Sequence, residues 1–218
     1  DKNNFKKINK RNFKIFKNID ITKINRLNPK FIFFIHWSNI VKSEIYKKYN
    51  CIQFHCSDLP KFRGGSPIQN QIVKGLKKTK ITAFKISKKI DAGDYCKKET
   101  LKLHGNVSEI LKRIERISVN MILHIIKNKK LKFKKQSGVP SMFMRRLEKD
   151  SNIINHKHKK MVNLYDFIRM LDGSGYPSAY FNFQKYKIMF TSAKFLKNKI
   201  KGDFKIEKKL IGNSGSSR

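Results

Sequence analysis

Between residues 30 and 103 the apolar positions change period again and again, and this alternation constrains the fold more than any other feature of the sequence. "KFIFFI" (30–35) is a continuous apolar run of the length of a buried strand. "SNIVKSEIYKKY" follows with helical spacing, and Ser38 or Asn39 is placed to cap it. "CIQFH" (51–55) reads as the next strand. "SPIQNQIVKGL" (66–76) reads as a helix with Ser66 at the N-cap and Pro67 at the first position. "KITAFKIS" (80–87) alternates as a strand does, "KKIDAGD" (88–94) is a loop, and "YCKKETLKL" (95–103) is a further strand.

The clearest helix spans 106–130, where Val107, Ile110, Leu111, Ile114, Ile117, Met121 and Ile125 keep i, i+3, i+4 spacing. Strand, helix, strand, helix, strand is the order of an α/β fold with an open, largely parallel sheet. Such sheets bind ligands beyond the carboxyl ends of their strands. The stretch after His55 and the "DAGD" loop both fall there.

These elements make one domain over 1–135. Residues 136–162 are polar, contain "RRLEKDSN" and "NHKHKK", and read as an extended linker. "NLYDFIRML" (163–171) is a short amphipathic helix ended by "DGSG". "AYFNFQKYKIMF" (179–190) reads as a hairpin with a strand or two to follow, so 163–208 is a small C-terminal subdomain before a Gly/Ser tail at 209–218.

Composition limits the classes of function. With 39% hydrophobic residues and 17 Phe, the 218-residue chain can bury a core. No run approaches the roughly 18 apolar residues of a membrane span, and no signal peptide is visible. Cys51, Cys56 and Cys96 are an odd, sparse set, so no disulfide framework is expected and the cytoplasm is the expected compartment. The chain opens on Asp rather than Met, so a partial or trimmed chain is an expectation. A net charge of +36 invites a nucleic-acid partner. Yet arginine supplies only nine of the 51 basic residues, and lysine is scattered from Lys2 to Lys209 alongside excess Asn, Ile and Phe. That pattern is what an A- and T-rich genome imposes, whereas a nucleic-acid surface favours clustered arginine. A nucleic-acid partner is therefore not expected, although a diffuse field can still draw anionic substrates.

Within "CIQFHCSDLPKFRGGSPIQNQIV" (51–73) each residue taken singly has an ordinary reading. His55 can be a satisfied strand-end histidine, "RGGSP" a turn before a helix, and "DAGD" a common loop. Cys51, His55 and Cys56 do not share one face and lack a second ligand pair, so no metal is expected. His156 and His158 lie in a basic linker and point to no chemistry.

In combination these pieces are more specific. "FHCSDLPKFRGGSPIQ" followed by "KKIDAGDY" resembles the folate-dependent formyltransferases, whose sheet is Rossmann-like. That family has a strand ending in Asn-x-His, a Ser-Leu-Leu-Pro loop, an Arg-Gly turn, a Pro helix start and an Asp-(Ala/Thr)-Gly loop. "FIFFIHWSNIV", "VPSMFMRRLEKDSNI" and "LYDFIRMLDGSGYPSAYF" extend the resemblance over roughly 20–195. Nothing resembles the family's first strand, so the chain is expected to begin after it.

The resemblance implies formyl transfer from N10-formyltetrahydrofolate to a primary amine. His55 would donate to the formyl oxygen, held charged by Asp91. The family's catalytic asparagine falls at Gln53, with Asn70 on the following helix as a substitute. Folate contacts would come from Asn39, Ile40 and Val41, from Ser57, Asp58, Leu59 and Pro60, and from Ser87, Lys88, Lys89, Ile90 and Asp91. Gly64 and Gly65 would let backbone approach ligand closely. By length, the acceptor expected is the amino group of a nucleotide-linked sugar, with a homodimer open. A methionyl-tRNA formyltransferase-like enzyme, a basic nucleic-acid-binding protein and an inactive folate binder are the alternatives.

Overall fold

The computed structural model describes residues 13–128 and 130–208, so the 209–218 tail lies outside the described residues. The chain divides into two compact units. Among the described residues the first holds 13–104 and 109–145, and the second holds 105–108 and 146–208.

The first unit is built on a four-stranded sheet in the order β1 (Phe31–Phe34), β2 (Asn50–His55), β4 (Lys78–Lys85), β5 (Tyr95–Lys102). β1 and β2 are parallel, but β2–β4 and β4–β5 are antiparallel, so the sheet is mixed rather than largely parallel. The connection from β2 to β4 carries a short helix, α3 (Pro67–Val73). The loop from β4 to β5 is too short for the crossover that a parallel pair needs.

Helix α1 (Ile21–Leu27), capped by Asp20, was not evident in the periodicity. α2 (Ser43–Lys48) begins later than expected, with Lys42 rather than Ser38 or Asn39 at its N-cap. Ile24, Phe34, Val41, Ile45, Tyr49 and Cys51 form one buried cluster, and Ile86 packs on it. α4 (Val107–Lys127) keeps the expected stripe: Val107, Ile110, Ile114, Met121 and Ile125 are all buried. Successive residues of β2 point to opposite faces, and Cys51, Ile52, Phe54 and His55 are all buried. The sheet is therefore covered on both sides.

Residues 136–145 are not a free linker. β6 (Met142–Phe143) pairs in parallel with β3 (Arg63–Gly64), and the Phe62 and Phe143 rings stack 5.0 Å apart. The two glycines make room for this strand. A Cβ on Gly64 would lie 2.3 Å from the Phe143 carbonyl, and one on Gly65 would lie 2.3 Å from Arg145 Cα. The close approach expected of them toward ligand is made instead by the chain itself.

The second unit opens with two 3-10 turns (Glu148–Ser151, Ile153–Asn155), where an extended linker was expected. α5 (Met161–Arg169) precedes an antiparallel sheet of β7 (Ala179–Phe183), β8 (Tyr186–Leu196) and β9 (Lys199–Lys208). The expected hairpin is thus two thirds of a three-stranded sheet. Arg169 is buried, with Nε donating to Asp166 at 2.7 Å and Nη1 to the Gly105 carbonyl at 2.6 Å. His156 packs 4.7 Å from the Phe167 ring, and its Nε2 donates to the Asp150 carbonyl at 3.0 Å.

Burial holds His156 below its ordinary pKa, and the Asp150 carbonyl only partly opposes this. The surroundings of His36 in the first unit lower it too, against the opposing charge of Glu115, although its side chain is exposed and it contributes less. The folded state thus prefers both rings neutral, while the unfolded chain takes up their protons near pH 6.5. Their contribution is present above that pH and lost as pH falls. The unfolding temperature is expected to drop between pH 7.5 and about 5.5, and His156→Gln to flatten the slope. An unchanged slope in the variant would contradict this.

Candidate active site

β2 ends at His55, and the chain then turns through 56–66 before α3. Three polar side chains fix the turn from within. Ser57 Oγ donates to the Lys61 carbonyl at 2.6 Å. Thr82 Oγ1, on β4, donates to the Ser57 carbonyl at 2.6 Å and accepts from Leu59 N–H at 3.4 Å. Gln71, on α3, donates to the Cys56 and Pro67 carbonyls at 2.7 and 2.9 Å, while its own carbonyl accepts from Thr79.

His55 and Asp91 meet although 36 positions separate them. Nδ1 of His55 lies 3.4 Å from Asp91 Oδ2, and both side chains are only 7% exposed. Asp91 Oδ2 also accepts from Gly64 N–H at 2.8 Å. The other ring nitrogen, Nε2, is 2.7 Å from the Phe62 carbonyl. A carbonyl only accepts, so Nε2 carries a hydrogen and Nδ1 is the nitrogen turned to the carboxylate. Phe62 is itself held by its N–H to Ser141 Oγ at 2.9 Å. Asp91 sits at φ +49°, a conformation a non-glycine residue keeps only when its surroundings impose it.

Gln53 lies two residues before His55 on the same strand face and is half-buried. Asn70 is engaged elsewhere: its Nδ2 donates to the Gly65 carbonyl at 3.0 Å and braces the start of α3.

The residues expected to hold a cofactor divide by exposure. Asn39 and Ile40 are exposed, Ile40 at 85%, whereas Val41 is in the core. Ser57, Leu59 and Pro60 are buried, so only their backbone is available. Asp58 is bound by Lys98 at 2.6 Å and Lys80 at 3.1 Å. Burial opposes its charge, but hydrogen bonds and charge from these two lysines prevail and hold the carboxyl below its usual range. Ser87, Lys88, Lys89 and Ile90 are exposed, and Asp91 is not. Val41 and Ile86 share one cluster, which brings the 39–41 loop beside the start of the 87–91 loop.

Two contributors were not foreseen in the sequence. Gln136 donates to the Asp91 and Gly93 carbonyls at 2.9 and 2.8 Å and accepts from Arg63 at 2.6 Å. Lys98 donates to the Leu59 carbonyl at 2.6 Å besides binding Asp58. A polar residue in a polar stretch carries no periodic signal, so neither could be picked out.

Among the described residues no group of three or more His, Cys, Asp or Glu could hold a metal ion. No described helix is long and apolar enough to cross a membrane.

Residues 3–126 match the family model described as formyl transferase, and 148–207 match that of the methionyl-tRNA formyltransferase C-terminal domain. The solved methionyl-tRNA formyltransferase from Clostridium thermocellum superposes with a TM-score of 0.87 at 38% identity, over 95% of this chain and 94% of that one. The methionyl-tRNA formyltransferase of Syntrophomonas wolfei is 26% identical over 77% of this chain, which spans only 56% of that relative. A 4-N formyltransferase from Francisella tularensis shares the fold, with a TM-score of 0.61 at 21% identity over 76% of this chain and 72% of its own.

The three thiols are disfavoured as thiolates. Burial pushes Cys51 and Cys56 up to about 12, and Cys96 to about 11 against the opposing charges of Lys97 and Lys85. Only the thiolate reacts, so at pH 8 roughly 10⁻⁴ of Cys51 and Cys56 is reactive. Alkylation by iodoacetamide in buffer should run at least about 100-fold slower than in urea. Rapid labelling of the native chain would contradict this burial.

Proposed function

This chain belongs to the formyl transferase family, and on that premise we propose that it moves a formyl group from N10-formyltetrahydrofolate to the α-amino group of methionyl-tRNA. The observation that carries the reading is the buried His55–Asp91 pair, braced by Gly64 at the end of β2. The sugar acceptor suggested by length gives way. The residues after 148 match a methionyl-tRNA formyltransferase C-terminal domain, and the sugar enzymes share only the fold. The net charge of +36 then acquires a use, since lysine-phosphate contacts dominate affinity for RNA.

N10-formyltetrahydrofolate, when bound, would supply the formyl carbon: the amine nitrogen bonds to it, the bond to folate N10 breaks, and the proton the amine gives up leaves on tetrahydrofolate. The loops fit such a ligand: Ile40 and Ile90 present apolar side chains to solvent, 85% and 56% exposed, where a flat ring could cover them. His55 is the donor for the formyl oxygen, where negative charge builds as the amine attacks. Its Nε2–H is held by Phe62, so donation requires that bond to be exchanged. Asp91 orients the ring. Gln53 is the second donor, favoured over Asn70 because the Asn70 amide is committed to Gly65. The acceptor amine must arrive neutral, since an ammonium has no lone pair.

The test mixes the full chain with N10-formyltetrahydrofolate and either initiator methionyl-tRNA or a nucleotide-linked 4-amino sugar, and follows formylated product. Formyl-methionyl-tRNA is expected. His55→Ala and Asp91→Ala should each lower turnover by about 100-fold or more. Gln53→Ala should lose most activity, and Gln53→Asn should retain it. Turnover with the sugar alone would replace this reading, and turnover with neither would leave a folate binder.

A further inference from the structure

We propose that Gln136 is a positioning residue for formyl transfer, fixing the Asp91 loop against Arg63 and so setting the distance from Asp91 to His55. The proposal rests on the reading of function above.

One carboxamide joins two loops that are remote in sequence. Both hydrogens of the Gln136 amide are used, toward the Asp91 carbonyl at 2.9 Å and the Gly93 carbonyl at 2.8 Å. Its oxygen accepts from Arg63 Nη2 at 2.6 Å. Arg63 depends on this contact, because its Nε is buried without a partner among the described residues. The next residue, Gly64, gives the N–H that binds the Asp91 carboxylate. Gln136 therefore holds the main chain of Asp91 on one side and the residue before its carboxylate's partner on the other.

The loop needs such a hold. Asp91 is at φ +49°, and the N–H of its neighbour Ala92 makes a long 3.4 Å bond to the Lys89 carbonyl. Farther on, Gly93 is pressed against β4, where a Cβ would come within 1.7 Å of the Lys85 carbonyl. The loop is fixed at Gly93 and at Asp94, whose carbonyl accepts from Lys85 N–H at 2.9 Å. What fixes Asp91 itself is its carboxylate and Gln136.

Distance makes the position matter. At 3.4 Å the His55–Asp91 contact is an ion-pair distance, longer than the roughly 2.7–3.2 Å of an N–H···O hydrogen bond. The hold of the carboxylate on the ring therefore varies with the distance at which the Asp91 loop is kept. A neutral amide suits the task, since it offers donor and acceptor in a fixed geometry with no charge to desolvate.

Two variants of the full chain test this. Gln136→Glu keeps an acceptor for Arg63 but sets a carboxylate against two carbonyls. Gln136→Met removes every polar contact at nearly the same volume. Three quantities are read: kcat and KM for transfer, the ¹⁵N resonances of the His55 ring without substrate, and the unfolding temperature. Both variants should stay folded at the assay temperature. Each should lower kcat by about 10- to 30-fold with KM for the formyl donor within about twofold. Each should also move the His55 Nδ1 resonance. An unmoved resonance in both overturns the proposal, as does a loss of kcat matched in full by loss of folded protein. Because the resonance is read without substrate, it decides the role of Gln136 even if the unaltered chain transfers no formyl group; that second result would overturn the reading of function instead.

Discussion

One carboxylate oxygen organises the first unit. Asp91 Oδ2 accepts from Gly64 N–H and faces His55 Nδ1. It thereby joins the loop that leaves β2 to the loop that joins β4 and β5. These contacts are shielded from water, where a hydrogen bond is electrostatically stronger and an unpaired polar group is most costly. Neither loop can shift without leaving a buried charge, a buried N–H or a buried imidazole unsatisfied. The strained φ of Asp91, the close fit of Gly64 and Gly65 against β6, and the bracing of Phe62 by Ser141 all follow from keeping that one oxygen in place.

The surrounding loops are held by neutral side chains in a chain crowded with lysine. Gln71 and Gln136 each bind two carbonyls and one donor, and Thr82 and Ser57 do the same on a smaller scale. A buried lysine in such a place would have to be paired, as Lys98 is with Asp58. Amides and hydroxyls satisfy carbonyls without the desolvation cost of a charge. The cationic surplus is thus left to the exterior, free to act as a long-range field.

The second unit follows simpler rules. β8 and β9 are joined by a short turn and paired through most of their length, and α5 buries Phe167 and Ile168. The exception is the Asp166–Arg169 pair, which is tolerated in the interior because Arg169 also reaches the Gly105 carbonyl.

Strands and helices in the first unit were legible where they rest on local pattern. β2, β4, β5 and the α4 stripe follow from the period of the apolar residues, and the His55 and Asp91 motifs could be placed at strand ends. Strand direction was not legible, because period 2 is the same in both directions. The roles of Gly64, Gly65 and Gln136 were equally hidden. Each answers to atoms far away in sequence, Phe143, Arg145 and Asp91 among them. The sequence by itself determined which residues could carry the chemistry, since residue type and spacing are local properties. Only the tertiary structure decided which of them meet, because a hydrogen bond or a steric contact depends on distance in space and leaves no periodic trace along the chain.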